Sequence, residues 1–265
     1  MTMGTSINND SPRAVVIARR LSVGYGSQEI LSGIDTFVRP GGTVALVGSN
    51  GSGKSTLLKT FAGLLSPVKG ALEVLGSSVG ERHSDIAYLS QFHDAGFALP
   101  LRCVDVVRMG RFDQRRRWQF RSARDETIVQ ESMERMEVSH LAEVPLRDLS
   151  GGQKQRVYLA QILSRQSRLV LLDEPTAGLD APGRALYLEA LTAERERGAA
   201  IVTATHDVGE AAVCDRVILL AKRVVADGPP SAVLTPENLM ETFGIGLTRV
   251  GDQLLVTEHG HHDHD

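Results

Sequence analysis

Short runs of apolar residues rich in Val, Ile and Leu recur along the chain and predict buried β-strands. The first two runs cover residues 14–23 and 30–38 and are separated by a turn that contains two glycines. Further strand-sized runs lie at 43–47, 71–75, 85–89, 169–172, 199–205, 216–225 and 247–256. A wholly apolar run such as 169–172 is typical of a strand buried on both faces, which favours a parallel central sheet.

Helical periodicity is concentrated between residues 92 and 164. Apolar residues recur at helical spacing over 104–109 and 126–136, in a stretch with many charges and few strand-like runs. Ser150 is placed to cap a further helix that runs to about residue 165, and other helices are predicted at 181–197 and 236–243. We therefore expect one domain over 1–265, with 12–91 and 165–250 forming an α/β core and a β subdomain, and 92–164 an inserted helical subdomain.

A glycine-rich loop lies between the strand pattern at 43–47 and the helical pattern that begins at residue 57. Glycines permit a tight turn that points consecutive N–H groups inward, Lys54 supplies positive charge for β- and γ-phosphates, and the Ser55 hydroxyl can bind Mg²⁺. The positive end of the following helix adds to this attraction. Its position after a strand and before a helix favours a phosphate-binding loop over a plain glycine turn. The loop consists of Gly48, Ser49, Asn50, Gly51, Ser52, Gly53, Lys54, Ser55 and Thr56.

Two adjacent acids, Asp173 and Glu174, follow the buried strand at 169–172. Buried carboxylates are costly without a role, and here Asp173 can bind Mg²⁺ while Glu174 can act as a general base on water. His206 follows the strand at 199–205. A histidine in such a position is often purely structural, but in a parallel sheet it shares an edge with the acids, which favours a phosphate contact.

A second anion site is predicted where Ser150 caps a helix. The segment Leu149, Ser150, Gly151, Gly152 and Gln153 exposes several backbone N–H groups at the positive end of that helix. By itself the segment is equally consistent with an ordinary capped glycine turn.

Two further candidates, Tyr25 and Gln91, lie just after predicted strands. Tyr25 lies in the first turn, where it can be a packing residue or can stack on a purine ring, and spacing leaves both alternatives open. Gln91 follows the strand at 85–89.

Composition narrows the class of protein. A hydrophobic content of 42% and a charged content of 23% are ordinary for a globular protein, and the net charge of −3 gives no support for nucleic acid as a partner. Cys103 and Cys214, the only cysteines, lie far apart, which suits a reducing compartment. We find no signal-peptide pattern and no apolar stretch near the roughly 20 residues of a membrane span, and we expect a cytoplasmic location.

Two polar segments remain open to alternatives. Arg115, Arg116, Arg117 and Trp118 form a basic cluster that is either a solvated surface or a contact for an anionic partner such as lipid headgroups. The tail at 258–265 is either a polar tail without a role or a site for Zn²⁺ or a similar ion. Its candidate ligands are His259, His261, His262 and His264.

The order of the motifs resembles the ATP-binding subunit of an ABC transporter, and the resemblance covers nearly the whole chain. It rests on the loop at 48–56, Gln91, the segment 149–153, the acidic pair, Leu179 with Asp180, and His206. Within this family, residues 97–100 and 104–111, the following Arg- and Trp-rich segment and the His-rich end are similar to subunits of zinc and manganese importers.

This resemblance implies a fold and a set of residue roles. The fold would be a P-loop NTPase (RecA-like) core with a mainly parallel sheet, an N-terminal antiparallel β subdomain and an inserted α-helical subdomain. Tyr25 would stack on adenine, and Gln91 would join Ser55 and Asp173 at Mg²⁺ and sense the attacking water. His206 would hold the γ-phosphate against Glu174. The segment 149–153 would act on ATP bound by the opposite copy, and Asp180 would connect the two sites.

The implied function is ATP hydrolysis, with Mg²⁺, that drives import of zinc or manganese through closure of an ATPase homodimer. The implied partners are membrane-spanning permease subunits and an extracytoplasmic metal-binding protein, so the chain would lie at the cytoplasmic face of the membrane. Two alternatives stay open: an ATPase subunit for iron-chelate, cobalamin or drug transport, and a soluble ABC-type ATPase in DNA repair or translation. The latter usually carries a long coiled-coil insertion or two fused cassettes, and neither pattern is present.

Overall fold

Two β-sheets lie at the centre of the computed structural model, which describes residues 14–78, 85–91, 101–112, 122–250 and 253–258, with side chains as far as 244. The first sheet is antiparallel, in the order β2-β1-β4-β5. It consists of β1 (Val16–Tyr25), β2 (Gln28–Val38), β4 (Lys69–Val74) and β5 (Ser77–Ser78).

The second sheet has six strands in the order β10-β9-β3-β8-β7-β6, and all neighbours are parallel except β9 and β10. Its strands are β3 (Thr43–Val47), β6 (Ile86–Leu89), β7 (Leu169–Asp173), β8 (Ala200–Thr205), β9 (Arg216–Leu220) and β10 (Val224–Gly228). The expected α/β fold, with a mainly parallel sheet, an antiparallel β unit near the N-terminus and inserted helices, is confirmed.

Helices cover the six-stranded sheet on both faces. They are α1 (Lys54–Phe61), α2 (Cys103–Met109), α3 (Ala123–Arg135), α4 (Gly151–Arg165), α5 (Ala181–Glu196), α6 (Val208–Ala212), α7 (Pro230–Val233) and α8 (Pro236–Phe243). None of the helices in the described ranges is both long enough and apolar enough to cross a membrane. Helices α2 and α3 fall within the predicted helical insertion, and α4 begins in it and ends one residue beyond it. The boundaries at 92 and 164 stay predictions.

The hydrophobic core has separate parts on the two faces of the six-stranded sheet. Alternate residues of its strands, such as Leu169 and Leu171 of β7, pack with α1 and the antiparallel sheet. Val170 and Leu172 point to the other face and pack with the cluster formed by α2 to α5. Both faces of β7 are therefore buried, which explains why its sequence is apolar throughout.

Two predicted strands each proved to be two strands. The run 216–225 turns at Lys222, whose φ of 55° is left-handed, so β9 and β10 pair as antiparallel neighbours. The run 247–256 divides into β11 (Ile245–Val250) and β12 (Gln253–Glu258), which form a hairpin. Polar residues interrupt both runs, Lys222 and Arg223 in the first and Asp252 and Gln253 in the second, but a short polar interruption is by itself a weak turn signal.

Candidate nucleotide-binding site

The glycine-rich loop connects β3 to α1 and curls around the Lys54 side chain. The Lys54 ammonium group donates hydrogen bonds to the carbonyl oxygens of Gly48, at 2.6 Å, and Ser49, at 3.1 Å. Glycine is required at position 48, since a Cβ there would lie 2.2 Å from the carbonyl oxygen of Leu220. Gly53 precedes the helix with a φ of 104°, which favours glycine.

The loop forms one wall of a cleft of about 360 Å³. The acids at the end of β7 also line it, as does Gln91, which follows β6 at the same edge of the sheet. The ends of the parallel strands therefore bring the phosphate loop, the acidic pair and Gln91 to one cleft, as the strand pattern predicted. The residues that line the cleft are Ile30, Asn50, Gly51, Ser52, Gly53, Lys54, Ser55, Thr56, Gln91, Asp173 and Glu174.

The charges in this cleft are largely buried. Lys54, Asp173 and Glu174 are each at most 6% exposed, and the Lys54 ammonium lies 3.9 Å from Oε1 of Glu174. Burial lowers the pKa of Lys54, and the two carboxylates act in the opposite direction. Burial raises the pKa of Asp173, although a hydrogen bond from Ser55 opposes this shift. The site therefore holds two negative groups against one positive group in a poorly solvated space.

Glu174 has a backbone conformation that few glutamates adopt. Its φ is 51°, and its N–H donates to the carbonyl oxygen of Ala204 in β8 at 2.9 Å. Its Oε2 lies 2.8 Å from Nδ1 of His206, which follows β8. His206 is mostly exposed, so its ring extends from the sheet edge toward solvent while Nδ1 contacts the buried acid.

Unpaired oxygens in this cleft fit a magnesium ion and phosphate groups. Among the side chains that the structure describes, Ser52 Oγ, Asp173 Oδ1 and Glu174 Oε1 are buried without a hydrogen-bond partner. Such groups are destabilising unless a ligand, ion or water completes their interactions. Ser55, Gln91 and Asp173 supply oxygen atoms, which are the ligands Mg²⁺ prefers, and the loop supplies N–H groups for phosphate oxygens.

The predicted second anion site is a capped helix outside this cleft. The hydroxyl of Ser150 accepts a hydrogen bond from the Gln153 N–H at 3.3 Å, and the Gln153 side chain accepts from the Ser150 N–H at 3.0 Å. Gly152 lies against Gly178, whose carbonyl oxygen would be 2.9 Å from an added Cβ. In the part of the cleft that the structure describes, none of the residues from Leu149 to Gln153 lines the wall.

Asp180 and Tyr25 also lie outside the described lining of the cleft. Asp180 caps α5, because its carboxylate accepts a hydrogen bond from the Gly183 N–H at 2.9 Å. Tyr25 ends β1, pairs with Gln28 across a two-residue turn and is about half exposed. Their proposed roles at the nucleotide and between copies stay predictions.

A partly buried polar cluster next to His206 was not predicted. Glu210 in α6 accepts hydrogen bonds from the hydroxyls of Tyr187 and Thr205, both at 2.8 Å. The sequence signal is weak, because α6 has only five residues and its acid looks like any exposed helical glutamate. The one local cue in the sequence is a glutamate four residues after His206.

Several predicted features lie outside the described residues. They are the segment 97–100, the basic cluster of Arg115, Arg116, Arg117 and Trp118, and the tail histidines His259, His261, His262 and His264. Metal binding by the tail therefore stays a prediction.

The chain belongs to the ABC transporter family, whose sequence profile matches residues 31–177, more than half of its length. It is 38% identical over 210 residues to the manganese transport system ATP-binding protein MntA of Synechocystis, with 78% of this chain and 81% of that protein covered. It is 37% identical over 236 residues to the chelated iron transport system membrane protein YfeB of Yersinia pestis, covering 88% and 80%. The fold and cleft described above are thus those of an ABC transporter ATPase, which binds ATP with Mg²⁺ and hydrolyses it.

A solved structure supports the same assignment. The chain resembles CbiO1 of Clostridium perfringens, described as part of the ABC transporter complex CbiONQ, with a TM-score of 0.71 and 27% identity. The match covers 86% of this chain and 93% of that chain. The similarity therefore extends over most of the chain, well beyond the phosphate loop alone.

Proposed function

We propose that this chain is the ATP-hydrolysing subunit of an importer for a divalent transition metal. The observation that carries the catalytic part is the convergence of the phosphate loop, Asp173, Glu174 and Gln91 on one cleft, with His206 in contact with Glu174. The cargo is inferred from relatives, since the cleft itself contacts nucleotide and not metal cargo.

In the proposed mechanism, Lys54 and the loop N–H groups bind the β- and γ-phosphates of ATP. Ser55, Asp173 and Gln91 would hold Mg²⁺, which neutralises phosphate charge when bound. The Oε1 of Glu174, which has no hydrogen-bond partner in the described structure, accepts a hydrogen bond from the attacking water and later its proton. His206 uses its exposed edge to contact the γ-phosphate while its Nδ1 orients Glu174.

We further propose that hydrolysis requires two copies of the chain. The capped end of α4 at Ser150 and Gly152 offers N–H groups to an anion but lies outside the cleft of its own copy. A head-to-tail homodimer would bring this end over the γ-phosphate held by the opposite copy, with Asp180 at the junction. ATP would then hold the copies together, and hydrolysis would release them.

The proposed partners are permease subunits in the membrane and an extracytoplasmic binding protein, with this chain at the cytoplasmic face. The predicted insertion at 92–164 would contact the permease and transmit dimer closure. Manganese is the first candidate cargo because of the similarity to MntA. Zinc stays a candidate on the motif resemblance alone, and the similarity to YfeB supports chelated iron as the second candidate function.

Uptake by cells that lack this chain tests the cargo. We expect uptake of radiolabelled Mn²⁺ to fall and to return with the parent chain but not with Glu174→Gln. Uptake of labelled Zn²⁺ and of chelated iron is measured in the same cells as parallel arms. Loss of chelated-iron uptake alone would replace manganese by the second candidate, and unchanged uptake in all arms would reject metal import. Recovery of the chain only in soluble fractions, with no membrane partner on crosslinking, would favour a soluble ATPase.

A further inference from the structure

Glu210 is a half-buried acid that joins segments on both sides of the sheet edge that carries Glu174 and His206. Its Oε2 accepts a hydrogen bond from Thr205, at 2.8 Å, and from Thr176, at 3.5 Å. Its Oε1 accepts one from the fully buried Tyr187 of α5, at 2.8 Å. One carboxylate therefore contacts the β7–α5 loop, the end of β8, and α5, while it is itself part of α6.

The partners of Glu210 lie next to the two residues that meet in the cleft. Thr205 directly precedes His206, and Thr176 lies two residues after Glu174. The Thr205 hydroxyl also accepts a hydrogen bond from the Asp207 N–H, at 3.0 Å. It therefore links the residues that precede and follow His206. Glu210 therefore contacts both chain segments that carry the Glu174–His206 pair.

The carboxylate suits this task because an ionised carboxylate is purely an acceptor. All three neighbours are hydroxyl groups, which can each donate to it without competition for a proton. A glutamine at this position would offer one accepting oxygen and one donating NH₂ group, so at least one hydroxyl would have to reverse its hydrogen bond. Charge-assisted hydrogen bonds are also the stronger kind, which favours one fixed arrangement.

We propose that Glu210 is a positioning residue for ATP hydrolysis, which acts through Thr205 and Thr176 to keep His206 and Glu174 in contact. This proposal rests on the roles proposed above for Glu174 and His206. Because Glu210 does not line the described cleft, its loss should misplace the reacting groups without removing any contact to bound ATP. Misplacement by a fraction of an ångström lowers kcat, whereas lost substrate contacts raise KM.

The sharpest test is a pair of substitutions at Thr205. Thr205→Val removes the hydroxyl at nearly constant volume, and Thr205→Ser keeps it. We expect Thr205→Val to lower kcat for Mg·ATP hydrolysis by the purified full-length chain about tenfold, with KM for ATP changed less than twofold, and Thr205→Ser to retain most of the parent rate. Glu210→Gln and Tyr187→Phe should follow Thr205→Val in direction. The control is Thr242→Val, which removes a buried hydroxyl bonded within α8 and should leave kcat unchanged.

Each outcome decides between the proposals. Parent-like kcat in both Thr205→Val and Glu210→Gln would overturn the positioning role, and so would equal losses in Thr205→Ser and Thr205→Val. The loss of kcat could instead follow the fall in the thermal unfolding midpoint across all variants, Thr242→Val included. The cluster would then only stabilise the fold, and the positioning role would also be overturned. Glu174→Gln is measured alongside: if it hydrolyses ATP at the parent rate, the proposed function fails first, independently of Glu210.

Discussion

The Nδ1 atom of His206 and the Oε2 atom of Glu174 lie 2.8 Å apart, although the residues are 32 positions apart in the chain. This contact divides the carboxylate into two environments. Oε2 is held by the histidine, whereas Oε1 is buried without a hydrogen-bond partner in the described structure and lies 3.9 Å from the Lys54 ammonium. In the proposed mechanism, this unpaired oxygen is the one that accepts a hydrogen bond from the attacking water.

The proposed role of Glu174 as general base predicts a loss of turnover with ATP binding retained. Glu174→Gln keeps the size of the side chain but removes the basic oxygen, so kcat should fall by about 10² to 10⁴. Phosphate release measures kcat, and a fluorescent ATP analogue measures binding. Glu189→Gln, at an exposed position of α5, is the matched control and should behave like the parent chain. Hydrolysis by Glu174→Gln at the parent rate would remove Glu174 from the mechanism.

The proposed action of Ser150 on the opposite copy can be separated from its capping of α4. Ser122 caps α3 with the same reciprocal pair of hydrogen bonds, here with Asp125, so it offers a matched site without the second role. Ser150→Ala and Ser122→Ala should each lower the free energy of unfolding by about 1 kcal/mol. Only Ser150→Ala should weaken ATP-dependent dimer formation.

The measurement combines each serine variant with Glu174→Gln, so that ATP is bound but not consumed. Sedimentation with and without Mg·ATP then reports the dimer, and urea unfolding reports the capping contribution. Equal dimerisation by the two serine variants would contradict the proposal that Ser150 completes the site of the opposite copy.

Sequence patterns predicted most of the cleft because its components are local and lie at strand ends. The loop from Gly48 to Thr56 is continuous in sequence, and Asp173 and His206 each follow an apolar run whose end could be located. In a parallel sheet, all such ends lie at one edge. That rule brought residues more than 100 positions apart into one predicted site without any knowledge of strand order.

Sequence patterns could not predict the strand order or the hydrogen bonds of Glu210. The order β10-β9-β3-β8-β7-β6 depends on which long-range pairs bury the most surface, and no local pattern encodes it. Helix α6 has five residues, too few for a periodic signal, and Glu210 becomes informative only once Tyr187 of α5 is known to face it. The turn at Lys222 was missed because its left-handed conformation involves neither glycine nor proline.

An ion pair between a buried acid and a more exposed arginine at the end of α5 should contribute to stability. Glu194 is only 3% exposed and is paired with Arg197, which also donates to the carbonyl oxygens of Gln166 and Ser167, both at 3.1 Å. Within the described ranges, Arg197→Ala leaves this buried carboxylate with only the more distant Arg135, at 3.8 Å. The substitution should lower the free energy of unfolding by about 2–3 kcal/mol.

The control for this prediction is an exposed ion pair on the same helix. Arg184 lies 3.5 Å from Asp207, and both side chains are well exposed, so Arg184→Ala should lower the free energy of unfolding by less than about 1 kcal/mol. Urea unfolding followed by circular dichroism gives both values. Equal effects of the two substitutions would mean that Glu194 finds a new partner when Arg197 is lost.

Both cysteines should be unreactive until the chain unfolds. Burial raises the pKa of the Cys103 thiol, and burial with the nearby Glu210 carboxylate raises that of Cys214 to about 12. Only the thiolate reacts quickly with disulfide reagents, and an unfolded cysteine has a pKa of about 8.5. At pH 8 we therefore expect slow labelling of the native chain and rapid labelling of two thiols in urea. Cys103→Ser and Cys214→Ser assign each thiol, and rapid labelling of Cys214 in the native chain would show that α6 opens readily.

Because the unfolded thiols ionise first, raising the pH from 8 to 10 should also favour the unfolded state.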